Sequence, residues 1–243
     1  MKRIKDLSYI LFPNQEILTK FTIIMKLLRI FLLLVLFCFV SSCEGPPKRQ
    51  RGRNANPKEY CLFTNEKLAK ACNYLSPITK SFANSCVKKE HQGDFNIFQV
   101  CDVYDYCVKN WVYVNDPLGC EYVAQASKTI GNKLKGDCDD FAILMAASMM
   151  AIGGNCRIVT AWGEAGGHAY AELNISGSNV HDIKQLIKMR YNLDSVEGIS
   201  HDDNGGMWLN LDWHLHPGQP YFPSEKKHIY VFHIKTNRWL KYE

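Results

Sequence analysis

The chain has no Cys-x-x-Cys pair, so the thiolate spacing that most often marks a structural zinc site is missing. It also lacks the run of about 20 apolar residues that a bilayer-crossing helix needs; the uninterrupted stretch from Ile30 to Val40 has eleven. No internal repeat or low-complexity tract stands out, which excludes solenoid and fibrous architectures. Charge of one sign is scarce once the first 42 residues are set apart. These hold six Lys/Arg and two Asp/Glu of the totals of 29 and 24, which leaves 23 basic against 22 acidic residues. Most of the formal net charge of +5 therefore sits in the leader, and nucleic acid is not an expected partner.

Eleven apolar residues match the core of a signal peptide. Lys26 and Arg29 precede the run and Ser41-Ser42-Cys43 end it. Val40-Ser41-Ser42-Cys43 resembles a bacterial lipobox, in which the cysteine is lipidated and becomes the N-terminus; an ordinary secretory signal is the alternative. Met25 makes a better initiator than Met1, because a start there gives a compact basic region, apolar core and cleavage site. The expected divisions are a signal peptide over 1–42, a lipidated Cys43 with a flexible tether over 43–59, and one globular domain over 60–243. The tether crowds Lys48, Arg49, Arg51, Arg53 and Lys58 among Gly and Pro. It reads either as a solvated linker or as a basic strip along anionic headgroups. The expected location is the bacterial cell envelope, with the membrane reached through lipid on Cys43.

Within the domain the most informative residue is Cys138, in Gly136-Asp137-Cys138-Asp139-Asp140, followed by an almost wholly apolar stretch from Phe141 to Ile152. A thiol that opens a buried helix faces free backbone N–H groups, which favours the thiolate and predicts a lowered pKa. The three neighbouring aspartates suit the helix end but oppose ionisation of the thiol. His168 begins an alternating strand pattern, with His168, Tyr170 and Glu172 on one face and Ala169, Ala171 and Leu173 on the other. Asp212 lies in a second such pattern, Trp208 to Trp213. A nucleophilic thiol, a base and a carboxylate that orients the base need these three residue types. Asn210, on the same strand face as Asp212, is a rival for orienting the imidazole. His214 and His216 lie two apart beside Asp212, yet no third ligand is clearly placed, so neither a metal nor another cofactor is expected.

The run from Gly136 to Ile175 resembles the transglutaminase-like superfamily, a branch of the papain-like cysteine enzymes. Gly-Asp-Cys-Asp-Asp-Phe-Ala, Gly167-His168-Ala169-Tyr170-Ala171-Glu172 and Trp208-Leu209-Asn210-Leu211-Asp212 carry the resemblance. Trp111-Val112-Tyr113-Val114-Asn115-Asp116-Pro117 extends it upstream, to cover about Asp94 to Trp213. The resemblance implies an α+β fold with helices first and a Cys-bearing helix packed on an antiparallel sheet. It further implies acyl transfer from amide bonds by Cys138, His168 and Asp212, with water or an amine as acceptor. Trp111 occupies the place of a Trp that stabilises the transition state in some members, although its helical stripe favours core packing. Expected substrates are peptides, proteins or peptidoglycan peptides. The alternative is a catalytically silent binding or structural domain of a surface lipoprotein, with Ser176 to Gly206 as a docking insertion.

The element pattern agrees with that fold class. A helical part is expected over 60–135, with Thr64 to Leu75 amphipathic. Asp94 caps a helix whose stripe is Ile97, Cys101, Tyr104, Val108 and Trp111, and a short helix covers Glu121 to Lys128. After Cys138 and its helix, strands are expected at Cys156 to Trp162, His168 to Ile175, Met207 to Trp213, His228 to Ile234 and Arg238 to Leu240. A helix within the insertion covers Asp182 to Met189. Of the other cysteines, Cys61, Cys72, Cys86, Cys101, Cys107, Cys120 and Cys156 are either partly paired, as export permits, or simply small buried apolar residues.

Overall fold

A computed structural model of the chain describes residues 65–116, 122–163, 166–221 and 228–242. The expected signal peptide, the candidate lipidation site at Cys43, the expected tether, Cys61 and Cys120 lie outside these described residues.

Helices dominate the first half. Helix α1 spans Asn65–Ala71 and α2 Pro77–Cys86. The latter, unforeseen in the sequence reading, opens with proline at its first position, where no N–H partner is needed, and buries Thr79, Ala83 and Cys86. Helix α3 covers Ile97–Asn110. Its cap is Asn96, whose side chain accepts the Gln99 N–H at 3.1 Å, rather than Asp94. Trp111 falls just past its end, in extended conformation. Strand β1 (Val112–Tyr113) follows, then α4 (Ala126–Gly131) and β2 (Lys135–Gly136). Strands β1 and β2 pair in parallel, a contact that two-residue strands leave no trace of in sequence.

Helix α5, Cys138–Ala151, is buried on every side from Asp139 to Met150. A helix apolar all round belongs in the middle of a core. It packs against α2, α3 and α4 on one side and against the sheet on the other. Gly153 ends it with φ +110°, a conformation that glycine adopts without a Cβ penalty.

The sheet is made of β3 (Cys156–Gly163), β4 (Gly166–Asn174), β5 (Ile199–His201), β6 (Met207–Asn210), β7 (His228–His233) and β8 (Arg238–Tyr242). Its order is β5-β6-β4-β3-β7-β8, antiparallel throughout. The fold is α+β, as the pattern predicts. Ala169, Ala171 and Leu173 of β4 join the core that contains α5. On the opposite face, buried Arg157 donates to Glu172 at 2.7 Å, and the Ser200 and Tyr221 hydroxyls donate to the other Glu172 oxygen. That network ties β3, β4, β5 and the segment at Tyr221. The insertion supplies β5 and helix α6 (Val180–Tyr191), which Arg190 fastens to α3 through Asp102 and Asp105.

Cys72, Cys86, Cys101, Cys107 and Cys156 are free and buried. They behave as small apolar residues, so among the described residues the disulfide alternative is not realised.

Candidate active site

The backbone that leads into Cys138 is fixed from the side. Val112 N–H donates to Leu134 at 2.9 Å and Val114 N–H to Gly136 at 2.8 Å. Gly136 carries no side chain because a Cβ there would meet the Asp140 Oδ2 at 2.2 Å and its Cβ at 2.4 Å. Asp140 in turn accepts the Ala124 N–H at 3.1 Å. This carboxylate therefore joins the loop at Ala124 to the first turn of α5. Burial pushes the Asp140 carboxyl up to about 6, against the Ala124 N–H and with help from Asp137 and Asp116.

Cys138 is half-buried at the start of α5. The backbone N–H of Ala169, one residue after His168, acts on the thiol in favour of its ionised form. The expectation of a lowered pKa is reversed here. Burial pushes the thiol up, Asp139 and Asp137 push it further, and the charge of Asp212 adds to them, with only the Ala169 N–H opposing. A helix terminus contributes a partial charge, whereas two flanking carboxylates contribute whole ones. The resting side chain is thus a thiol.

His168 Nε2 lies 2.7 Å from Asp212 Oδ2, with side-chain exposures of 13% and 2%. With the carboxylate as acceptor, Nε2 carries the proton and Nδ1 is the basic nitrogen. The other Asp212 oxygen accepts the Trp213 N–H at 2.8 Å. Strand β6 ends at Asn210, three residues short of the expectation, so Asp212 sits on a segment held by side chains. Asn210 Oδ1 accepts the Asp212 N–H at 2.9 Å, and its Nδ2 donates to Gln219 at 3.0 Å. Asn210 therefore braces the backbone of Asp212, and it is the Asp212 carboxylate, not the Asn210 amide, that meets the imidazole. From α3, the Tyr104 hydroxyl donates to the Asp212 carbonyl. Tyr104 and Gln219 had no sequence signal as site residues: one reads as a core position, the other as loop.

Aromatic rings cover this site. Trp111 meets Phe141 edge-on at 5.0 Å, one turn along from Cys138, and Trp213 stacks on Tyr113 at 5.4 Å. His214 lies 4.4 Å from Trp213 and 6.1 Å from His168. The Nε1 groups of Trp111 and Trp213 are buried without a hydrogen-bond partner among the described residues. Among the described residues, three groups have ligand atoms within 4.8 Å of one another: His168, Asp212 and His214; Asp137, Cys138 and Asp139; and Asp116, Asp137 and Asp140. Of the two histidines that invited a metal reading, His214 joins such a group. His216 instead lies 3.0 Å from the Pro217 carbonyl.

The family model for the transglutaminase-like superfamily matches residues 80–212, more than half of the 243 residues, and the chain belongs to that superfamily. Membership supports a cysteine-dependent enzyme type in general. Among solved structures the chain is similar to a candidate cysteine protease from Cytophaga hutchinsonii, with 15% identity and a TM-score of 0.39 over 78% of this chain and 56% of that one. It is also similar to calcium-bound LapG of Legionella pneumophila, with 18% identity and a TM-score of 0.36 over 68% and 83%. EGTA-treated LapG gives 23% identity and 0.29 over 46% and 64%. The chain thus spans little more than half the length of the Cytophaga protein. No curated protein matches it.

Proposed function

We propose that this protein is a cysteine-dependent acyl-transfer enzyme that acts on amide bonds of peptides or proteins. The observation that carries the reading is the pair His168–Asp212 at 2.7 Å, with the half-buried Cys138 at the start of α5 near enough to feel the charge of Asp212. Cys138 Sγ attacks the amide carbonyl as its proton passes to His168 Nδ1. The imidazolium, held by Asp212, then protonates the leaving amine. Nitrogen leaves, a thioester remains, and water or an amine takes the acyl group from it and returns the thiol. The Cys138 N–H, at the open end of α5, is the natural donor to the oxyanion; Trp111 is a second candidate. A thiol pushed up at rest fits this order of events, since the thiolate arises only together with the imidazolium.

Location is part of the same proposal. Lipid on Cys43 anchors the domain at a bacterial envelope membrane, where peptides, proteins and peptidoglycan peptides are within reach. Hydrolysis fits that setting better than cross-linking. The rival reading, a silent binding domain, draws on the two aspartates that flank Cys138 and oppose its ionisation.

The test is the pH dependence of Cys138 alkylation by iodoacetamide, with the modified thiol located by peptide mass mapping. Because His168 takes the thiol proton as the sulfur attacks, the wild-type protein should be modified at pH 6–7, where an ordinary thiol with a pKa of about 8.5 reacts slowly, and this should be lost in His168→Ala. Turnover of peptide amides should vanish in Cys138→Ala. If Cys138 reacts sluggishly and equally in both forms, and Cys138→Ala keeps its biological activity, the enzyme reading fails.

A further inference from the structure

Asp212 stands beyond the end of β6, where the ladder contributes one last bond, from Leu211 N–H to Ala171. Past that point, three side chains from three parts of the chain take over. Asn210, at 1% exposure, accepts the Asp212 N–H; Gln219, at 2%, accepts the Leu215 N–H. Tyr104, at 1%, comes from α3 and reaches Asp212 across 108 residues of sequence. Its hydroxyl donates to the Asp212 carbonyl. Both backbone polar groups of Asp212 are therefore bound by buried side chains.

We infer that Tyr104 is a positioning residue for the candidate triad, its hydroxyl fixing the turn from which Asp212 presents its carboxylate to His168. This rests on the reading of Asp212 as the partner of a catalytic His168. A carboxylate that must support an imidazolium works only within a fraction of an ångström of its place. A phenol in an apolar stripe costs desolvation that a phenyl ring would not, so the hydroxyl has a use at this site. Burial, with the charge of Asp212, pushes the phenol up, and the O–H remains a donor over the whole working range.

The experiment compares Tyr104→Phe with Tyr191→Phe and Asp212→Asn in the full chain. Tyr191 donates to Asp105 at 2.7 Å and controls for loss of a hydroxyl remote from Asp212. In Tyr104→Phe the midpoint of Cys138 alkylation should move to higher pH. Its rate at pH 7 should fall about tenfold, and peptide turnover should lose kcat with KM unchanged. Tyr191→Phe should lower the melting temperature and leave the profile in place. A wild-type profile in folded Tyr104→Phe overturns the inference if Asp212→Asn shifts it; if Asp212→Asn also leaves it unmoved, the triad reading itself falls. Should Tyr104→Phe not fold, 3,5-difluorotyrosine at position 104 retains ring and hydroxyl with altered donor strength. An unmoved midpoint there overturns the inference as well.

Discussion

Two Asp–His pairs of nearly equal length lie in this protein in different company. His91 Nδ1 stands 2.6 Å from Asp102, and His168 Nε2 2.7 Å from Asp212. Asp102 also accepts Arg190 at 2.8 Å and the Lys88 N–H at 3.0 Å. Arg190 continues to Asp105 at 2.7 Å. Asp212 has the Trp213 N–H and the imidazole, and among the described residues no guanidinium or ammonium pairs with it. Each site has a thiol close by: Cys101, fully buried and pushed up to about 11 by burial against the opposing charge of Arg190, and Cys138, also pushed up. A low resting thiol pKa therefore does not distinguish the two. What differs is the carboxylate. The charge of Asp102 is already answered by Arg190, whereas that of Asp212 is available to an imidazolium when one forms.

Exchanging amide for carboxylate at each site should break the comparison most sharply. Asp212→Asn should cut peptide turnover by about a thousandfold or more, as loss of the carboxylate does in hydrolase triads, with little change in melting temperature. Asp102→Asn should leave turnover at 25 °C nearly intact and destabilise the fold by about 2–3 kcal/mol, since Arg190 keeps Asp105. Denaturant titration beside a turnover assay reads both.

Acid sharpens the contrast on a smaller scale. Although burial acts to raise it, bonds from His91, Arg190 and Lys88 hold the Asp102 carboxyl below its ordinary value. Its ionised form thus stabilises the fold above about pH 4, and that contribution fades as pH falls through the folded value. The melting temperature of wild type should drop below pH 4 more steeply than that of Asp102→Asn. Asp140 supplies the opposite sign. Its carboxyl, raised to about 6 mainly by burial, favours the fold while protonated. Stability on the order of 1 kcal/mol should be lost as pH rises from 4 to 7. Asp140→Asn should flatten that part of the curve.

The difference between these sites also explains what could be read from sequence. Alternation placed His168 and Ala169 on opposite faces of β4, and the apolar run from Phe141 placed α5 in the core, because both signals are periodic. The thiol's direction of shift differs from the expectation because counting helix-end dipoles says nothing of how deeply the thiol itself is buried, or of how close Asp139 and Asp137 lie to it. Asp94 is a residue type that caps helices, but so is Asn96 two positions on, and only the bond from Gln99 shows which of them serves. Tyr104 reads as one more core residue in a helical stripe, because a hydroxyl's partner 108 residues away leaves no local pattern. The β1–β2 pair and β5 are too short to show any period at all.

Gly136 carries a consequence for inheritance. Every single-base missense change in a glycine codon yields a larger residue, and each brings the Cβ that Asp140 leaves no room for. Drift at this position is closed in every direction so long as Asp140 holds its place. The first letter of the Gly-Asp-Cys signature would then be kept by a carboxylate four residues downstream, and would persist even in a descendant that had lost its thiol.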